Sequence, residues 1–129
     1  MSKIHKFLPV VSVLALALSA CGGGQSADGA GSACGKLAAD EICVKIGSGE
    51  PKSGGIAHIG KDNENGAQLA INEINAKGDL VIGRKKVKLA LIGEDDGTDP
   101  KQGTTVAQKL VDAKVAAEVG HQNSAPTIH

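Results

Sequence analysis

From Val44 onward, apolar runs of two kinds alternate along the chain. Val44-Lys45-Ile46-Gly47 is short and β-branched, and predicts a strand that ends in glycine. The stretch Ser48–Gly60, with Pro51 and repeated glycines, predicts a loop. Asp62–Lys77 then predicts a helix: Ala67, Ala70, Ile71 and Ile74 recur at helical spacing on one face, and Gly78 follows as a stop. Val87–Ile92 reads as a second strand, apolar almost throughout, as expected where both faces are covered. Asp99, Pro100 and Gln102 form a helix-start signature, with Asp99 as cap, proline at the first helical position and Gln102 completing a capping box. Val106, Ala107, Leu110 and Val111 supply the buried face of that helix. Val115–Val119 predicts a third strand, and Pro126 the opening of a third helix. Strand, helix, strand, helix, strand is the order of a parallel α/β sheet. Ligands of such sheets sit at the carboxyl ends of the strands, here the loop Gly120-His121-Gln122-Asn123-Ser124.

The chain ahead of that unit has a different pattern. Lys3 and Lys6 precede an apolar run from Leu8 to Ala20, too short to span a bilayer comfortably, so residues 1–20 predict an export signal. Its exit, Leu18-Ser19-Ala20-Cys21, matches the bacterial lipobox, in which the cysteine thiol is lipidated and becomes the first residue. The alternative is ordinary cleavage after Ala20, leaving Cys21 a spare thiol. Residues 21–43 read as a lipidated tether and lead-in, opening on Gly22-Gly23-Gly24. Residues 44–129 form the folding segment.

Composition narrows this picture. The sole aromatic residue of 129 is Phe7, in the signal, so the core rests on Val, Ile, Leu and Ala. About 85 residues remain to fold, close to the lower limit for a free-standing core. Basic and acidic residues balance at 14 each, with no aromatic-lined basic stripe, which argues against nucleic-acid binding. Arg84-Lys85-Lys86 reads as a solvated turn. Cys34 and Cys43 fit a disulfide in an exported chain, closing a loop that stabilises by about 2.5–3 kcal/mol. No cysteine or histidine spacing suits zinc, and no motif requires a cofactor.

Few residues could carry chemistry. Ser124 precedes Ala125-Pro126 near a helix start, where free N–H groups and its hydroxyl could cradle a carboxylate; equally, it could cap its own helix. Asp95 and Asp96 could hold a metal but more often serve as polar loop groups. His58 and His121 fall on loops at one end of the sheet, without a nucleophile and orienting acid to make them a catalytic pair.

Taken together, the segments Val44–Gly47, Lys52–Gly60, Gly66–Gly78, Asp95-Asp96, Asp99–Gln102 and Val119–Ser124 resemble the branched-chain amino-acid (Leu/Ile/Val) binding proteins of bacterial ABC importers. The resemblance implies the first lobe of a type I periplasmic binding protein, a parallel β-α-β-α-β unit incomplete at its C-terminus. It implies a receptor, not an enzyme, that closes by a hinge and hands an amino acid to an ABC permease in the inner membrane. In that family the serine matching Ser124 binds the ligand's α-carboxylate. The position of Ile59 packs against the ligand, and Asn123 and Gln122 flank the site. Gln122 is polar where relatives are more often apolar.

These readings place the chain in the periplasm, anchored to a membrane through lipid on Cys21. It is expected to be an N-terminal fragment that binds a branched-chain or related amino acid weakly or not at all alone. Two alternatives remain: a short exported lipoprotein with no ligand, or a receptor of the same fold for an amide or aromatic acid. A small enzyme using Asp95, Asp96 and His121 is the least supported reading.

Overall fold

The computed structural model describes residues 33–128. The signal over 1–20, Cys21 with its lipid, and the glycine tether lie outside the described residues.

Seven elements follow in chain order: β1 (Glu41–Glu50), α1 (Ala57–Lys77), β2 (Val81–Ile82), β3 (Lys85–Asp95), α2 (Pro100–Asp112), β4 (Ala117–Gly120) and α3 (Ser124–Thr127). The sheet order is β2-β3-β1-β4. β1, β3 and β4 are parallel, as the alternating pattern predicts, and β2 adds a short antiparallel edge. The chain crosses from β3 over β1 to reach β4, so β1 is flanked by strands from both directions. The crossover helices lie on opposite faces. Glu64 of α1 lies where a side chain on Gly93 would point, whereas Lys109 of α2 pairs with Glu94, whose side chain alternates to the other face.

β1 is longer than the predicted Val44–Gly47, and its last four residues, Gly47 to Glu50, are all buried. Its glycines resemble a loop in sequence but are packing spaces. A Cβ on Gly47 would lie 3.0 Å from Leu110 of α2, and one on Gly49 would lie 2.8 Å from the His121 ring. α1 likewise begins at Ala57 instead of Asp62. Its N-cap residue, Ile56, makes no side-chain cap bond, so no capping signature marks the start. Gly60 permits the first turn to press on Pro51, whose carbonyl oxygen would collide with a Cβ there. The end matches expectation: Gly78 is left-handed (φ 63°) and its N–H bonds Ile74 O at 3.1 Å.

Arg84-Lys85-Lys86 proves to lie at a hairpin, with β2 ending at Ile82 and β3 starting at Lys85. β3 runs past the predicted Ile92, to Asp95, while β4 is shorter than the predicted Val115–Val119. The core is small and aliphatic: Ile71, Val87, Ala90, Val106 and Leu110 are buried. Of the other predicted core positions on the helices, Ala67, Ile74 and Ala107 are half-buried and two are exposed. Ala70 is exposed, and Val111 is 66% exposed, because α2 buries the stripe Gly103, Val106, Leu110 and puts Val111 outside it. Asp99 caps α2, accepting from Gln102 N at 2.9 Å, and Pro100 takes the first position. The reciprocal half of the capping box is absent: the Gln102 side chain donates to Asp95 O at 2.6 Å instead. Cys34 and Cys43 are disulfide-bonded, Cα–Cα 5.8 Å, tying the lead-in to β1. No described helix is long and apolar enough to cross a membrane.

Candidate functional site

Because β1 has β3 on one side and β4 on the other, the crossovers leave its two carboxyl-end flanks in opposite directions, opening a crevice there. Three turns line that end: residues 51–56 after β1, 96–99 after β3 and 121–123 after β4.

The β3 and β4 turns are joined by a buried pair. Asp96, fully buried, accepts from Thr98 N at 2.9 Å through Oδ1, and its Oδ2 lies 2.6 Å from His121 Nδ1. The other ring nitrogen of His121 is 3.6 Å from Glu118 Oε1. Gly49 makes room for the ring. Asp95, the residue before it, faces the other way: its Oδ1 accepts from the N–H groups of Lys52 and Gly97 at 2.8 and 2.9 Å. Burial works to raise the Asp95 pKa, but these bonds and those from Ser53 outweigh it and hold it below the ordinary aspartate value. The two acids thus brace turns on opposite faces of the sheet.

The β1 and β4 ends meet through α1. Glu50, 2% exposed at the end of β1, accepts from Asn63 Nδ2 at 3.2 Å. The same Nδ2 donates to Gln122 Oε1, bringing the β4 turn against α1. Burial pushes the Glu50 carboxyl above its ordinary value; the Asn63 bond opposes this, Asp96 and Glu64 add to it, and His121 offsets part. Lys52 and Glu64 pair at 2.8 Å over Gly93, where a Cβ would collide with both.

The four residues predicted to face a ligand all lie at this end of the sheet. Gln122 is exposed and tied to Asn63. Ile59, 37% exposed, is one turn before Asn63 and so shares its face of α1. Asn123 occupies the N-cap position of α3 and its Nδ2 is buried without a partner. Ser124 is the exposed first residue of α3, so the reading in which it caps its own helix fails: the cap position is Asn123's. His58 is exposed in the first turn of α1, not on a loop, while His121 is committed to Asp96. Among the described residues, no three His, Cys, Asp or Glu side chains are grouped as a metal site. An open depression beside the first turn of α2 is lined by Asp99, Pro100, Lys101 and Thr104, and of the three turns only Asp99 reaches it. Sequence reasoning missed Glu50 and Asn63. The spacing of Asn63 four residues after Ile59 was the available signal, hidden by placing the helix start too late.

A family profile described as "Periplasmic binding protein" matches residues 43–128. The Leu/Ile/Val-binding protein homolog 2 of Brucella abortus (strain 2308) is 38% identical over 85 residues, covering 66% of this chain and 22% of that protein. Among solved structures, the branched-chain amino acid transporter substrate binding protein LivJ of Streptococcus pneumoniae, in complex with isoleucine, superposes with a TM-score of 0.58. It is 35% identical, with 66% of this chain and 24% of that one covered. A solute binding protein of an ABC transporter from Rhodopseudomonas palustris BisB5, in complex with 3,4-dihydroxy benzoic acid, gives 0.53 at 32% identity, covering 65% and 22%. The chain therefore spans about a fifth of the length of the relatives it matches.

Proposed function

We propose that this chain, which belongs to the periplasmic binding protein family, supplies one wall of an extracytoplasmic receptor for a branched-chain or related amino acid. Such a receptor delivers its ligand to an ABC permease and catalyses nothing. The observation that carries the reading is the convergence of Ile59, Gln122, Asn123 and Ser124 at the carboxyl end of the sheet, beside the β1–β4 switch. Ser124 and the turn before it take the ligand carboxylate, and Ile59 offers apolar surface to an aliphatic side chain. The names of the Brucella and Streptococcus relatives support the same ligand class.

One wall cannot enclose a small ligand, so affinity for leucine by this chain is weak, about 1 mM or worse. The test is a leucine titration of the 129-residue chain followed by NMR. Saturable shifts confined to these four residues and their neighbours are expected. Shifts elsewhere, or none at saturating leucine, would reject the reading. A second ligand class, aromatic acids, is favoured by polar Gln122 and by the dihydroxybenzoate-bound relative. Larger shifts at Gln122 with that compound than with leucine would select it. Export and anchoring through Cys21 belong to the same proposal; they require a lipid-modified Cys21 in the membrane fraction and its loss in Cys21→Ala.

A further inference from the structure

We propose that Asp96 is a positioning residue for the turn Gln122-Asn123-Ser124, acting through His121, and that the pair holds this turn whether or not the imidazole is protonated. The inference rests on the reading above only in calling that turn the ligand's; its geometry is independent of any ligand. Asp96 is itself fixed. Its N–H donates to Glu50 O at 3.1 Å, its C=O accepts from Asp99 N at 2.9 Å, and Oδ1 accepts from Thr98 N. Only Oδ2 remains, and it meets His121 Nδ1 at 2.6 Å with the two side chains 0% and 8% exposed. The β1–β4 ladder ends at Gly49↔Gly120, so His121 is the first residue beyond it and the one directly before Gln122. The ring fills the space that Gly49 leaves. Past the ladder, that buried ring ties the turn directly to the end of β3, while Gln122 ties it to α1 through Asn63.

The pairing has a defined protonation pattern. A carboxylate only accepts, so Nδ1 carries the proton and Nε2 is left facing Glu118 at 3.6 Å. The groups facing the ring are Asp96 from the β3 turn and Glu118 from β4, with Glu50 at the end of β1 near enough for the charges to interact though its side chain turns to Asn63, and all three are acidic. A second proton on Nε2 leaves the Nδ1–H donor and the Asp96 acceptor in place, so the Nδ1–Asp96 contact persists. Asp96→Asn changes this while preserving shape. Thr98 N–H still requires the amide oxygen, which turns the amide NH2 toward His121. The ring must then accept at Nδ1, and it loses the contact once it takes a second proton.

The test is amide hydrogen exchange of Gln122–Ser124, corrected for intrinsic rates, in the full chain and in Asp96→Asn from about pH 8 to about pH 5. Wild-type protection is the reference at each pH and carries the pH dependence that Glu50 imposes on both proteins. The variant should match it at the upper end and exchange several-fold faster at the lower end. Parallel profiles, or a loss in the variant that ignores pH, would overturn the proposal. Should the variant fail to fold, ring nitrogen NMR of the unaltered chain decides: a proton on Nδ1 in the neutral ring is required, and one on Nε2 rejects it. Neither measurement contains a ligand, so a failed leucine titration leaves this result standing, and the converse holds.

Discussion

The two flanks of β1 are held by different physics. On one side β3 pairs with it along its whole length, from Glu41↔Lys86 to Glu50↔Asp95, and adds buried Val87 and Ala90. Asn75 further satisfies the backbone of Leu89 on the outer edge of β3 beyond the β2 hairpin. On the other side β4 pairs only through Ile46–Gly49, and all four of its residues are exposed, Val119 by 46%. Ladder and core hold the first flank. The second depends on contacts at its end: His121 with Asp96, Gln122 with Asn63, and Pro126 against Gly103. The candidate site lies on the weakly laddered side, where local opening costs least and binding turns are usually found. Polar deletions there should cost more than the number of bonds suggests, because few other contacts share the load.

The sharpest way to break the comparison is His121→Ala. It strands the Asp96 carboxylate in a fully buried position with Thr98 N–H as its one remaining side-chain contact. Breaking a buried pair by removing one partner costs about 3–5 kcal/mol. Urea unfolding near neutral pH should show a loss in that range. A loss below about 1 kcal/mol would mean the β4 flank is supported by something other than this pair.

Next comes the Cys34–Cys43 bridge on the well-laddered side. Replacing both cysteines by serine removes about 2.5–3 kcal/mol in the chain-entropy model, through the unfolded state. Because the bridge is at the opposite end of β1 from Glu50, exchange protection at Gln122–Ser124 should change only with global stability. Selective loosening of that turn would show that the flanks are coupled through β1 and are not independent.

How far the sequence disclosed this arrangement depends on what kind of signal each residue carries. Alternating periodicity placed β1, α1, β3, α2 and β4 in order, and Gly78 and Asp99-Pro100 marked two helix ends correctly. Local signals failed where a residue's job is set by a distant neighbour. Gly47, Gly49 and Gly60 read as loop, yet each is a space for Leu110, His121 or Pro51. Gln102 looked like half of a capping box, but Asp95 O competes for its amide. Val111 fits the helical stripe of α2 as well as Gly103 does, and it is the packing of Leu110 on Gly47 and of α3 on Gly103 that shows which face is buried. The site was legible as a place, the strand-end turn 120–124. Its support was not, because Asp96–His121 and Asn63–Gln122 join residues 25 and 59 positions apart.

The smallest expected effect is also the one that probes the junction of the two flanks. Glu50 closes β1, touches α1 through Asn63 and feels both Asp96 and His121. Its folded pKa is raised, chiefly by burial, so above the ordinary glutamate range the folded protein retains a proton that the unfolded chain has released. Stability from this group is fully present below the unfolded value and is lost as pH rises through the folded one. Glu50→Gln keeps an oxygen to accept from Asn63 and removes the ionisation. The variant should match wild type at the acid end of that window and exceed it increasingly above. Asp95 has the opposite sign, its contribution being present above the ordinary aspartate range and lost as pH falls through its lowered value, so its effect falls below the Glu50 window. Unfolding free energies of wild type and Glu50→Gln across mildly acidic to neutral pH provide the check. If the difference is constant with pH, burial does not govern Glu50, and the end of β1 is more open to water than its 2% exposure implies.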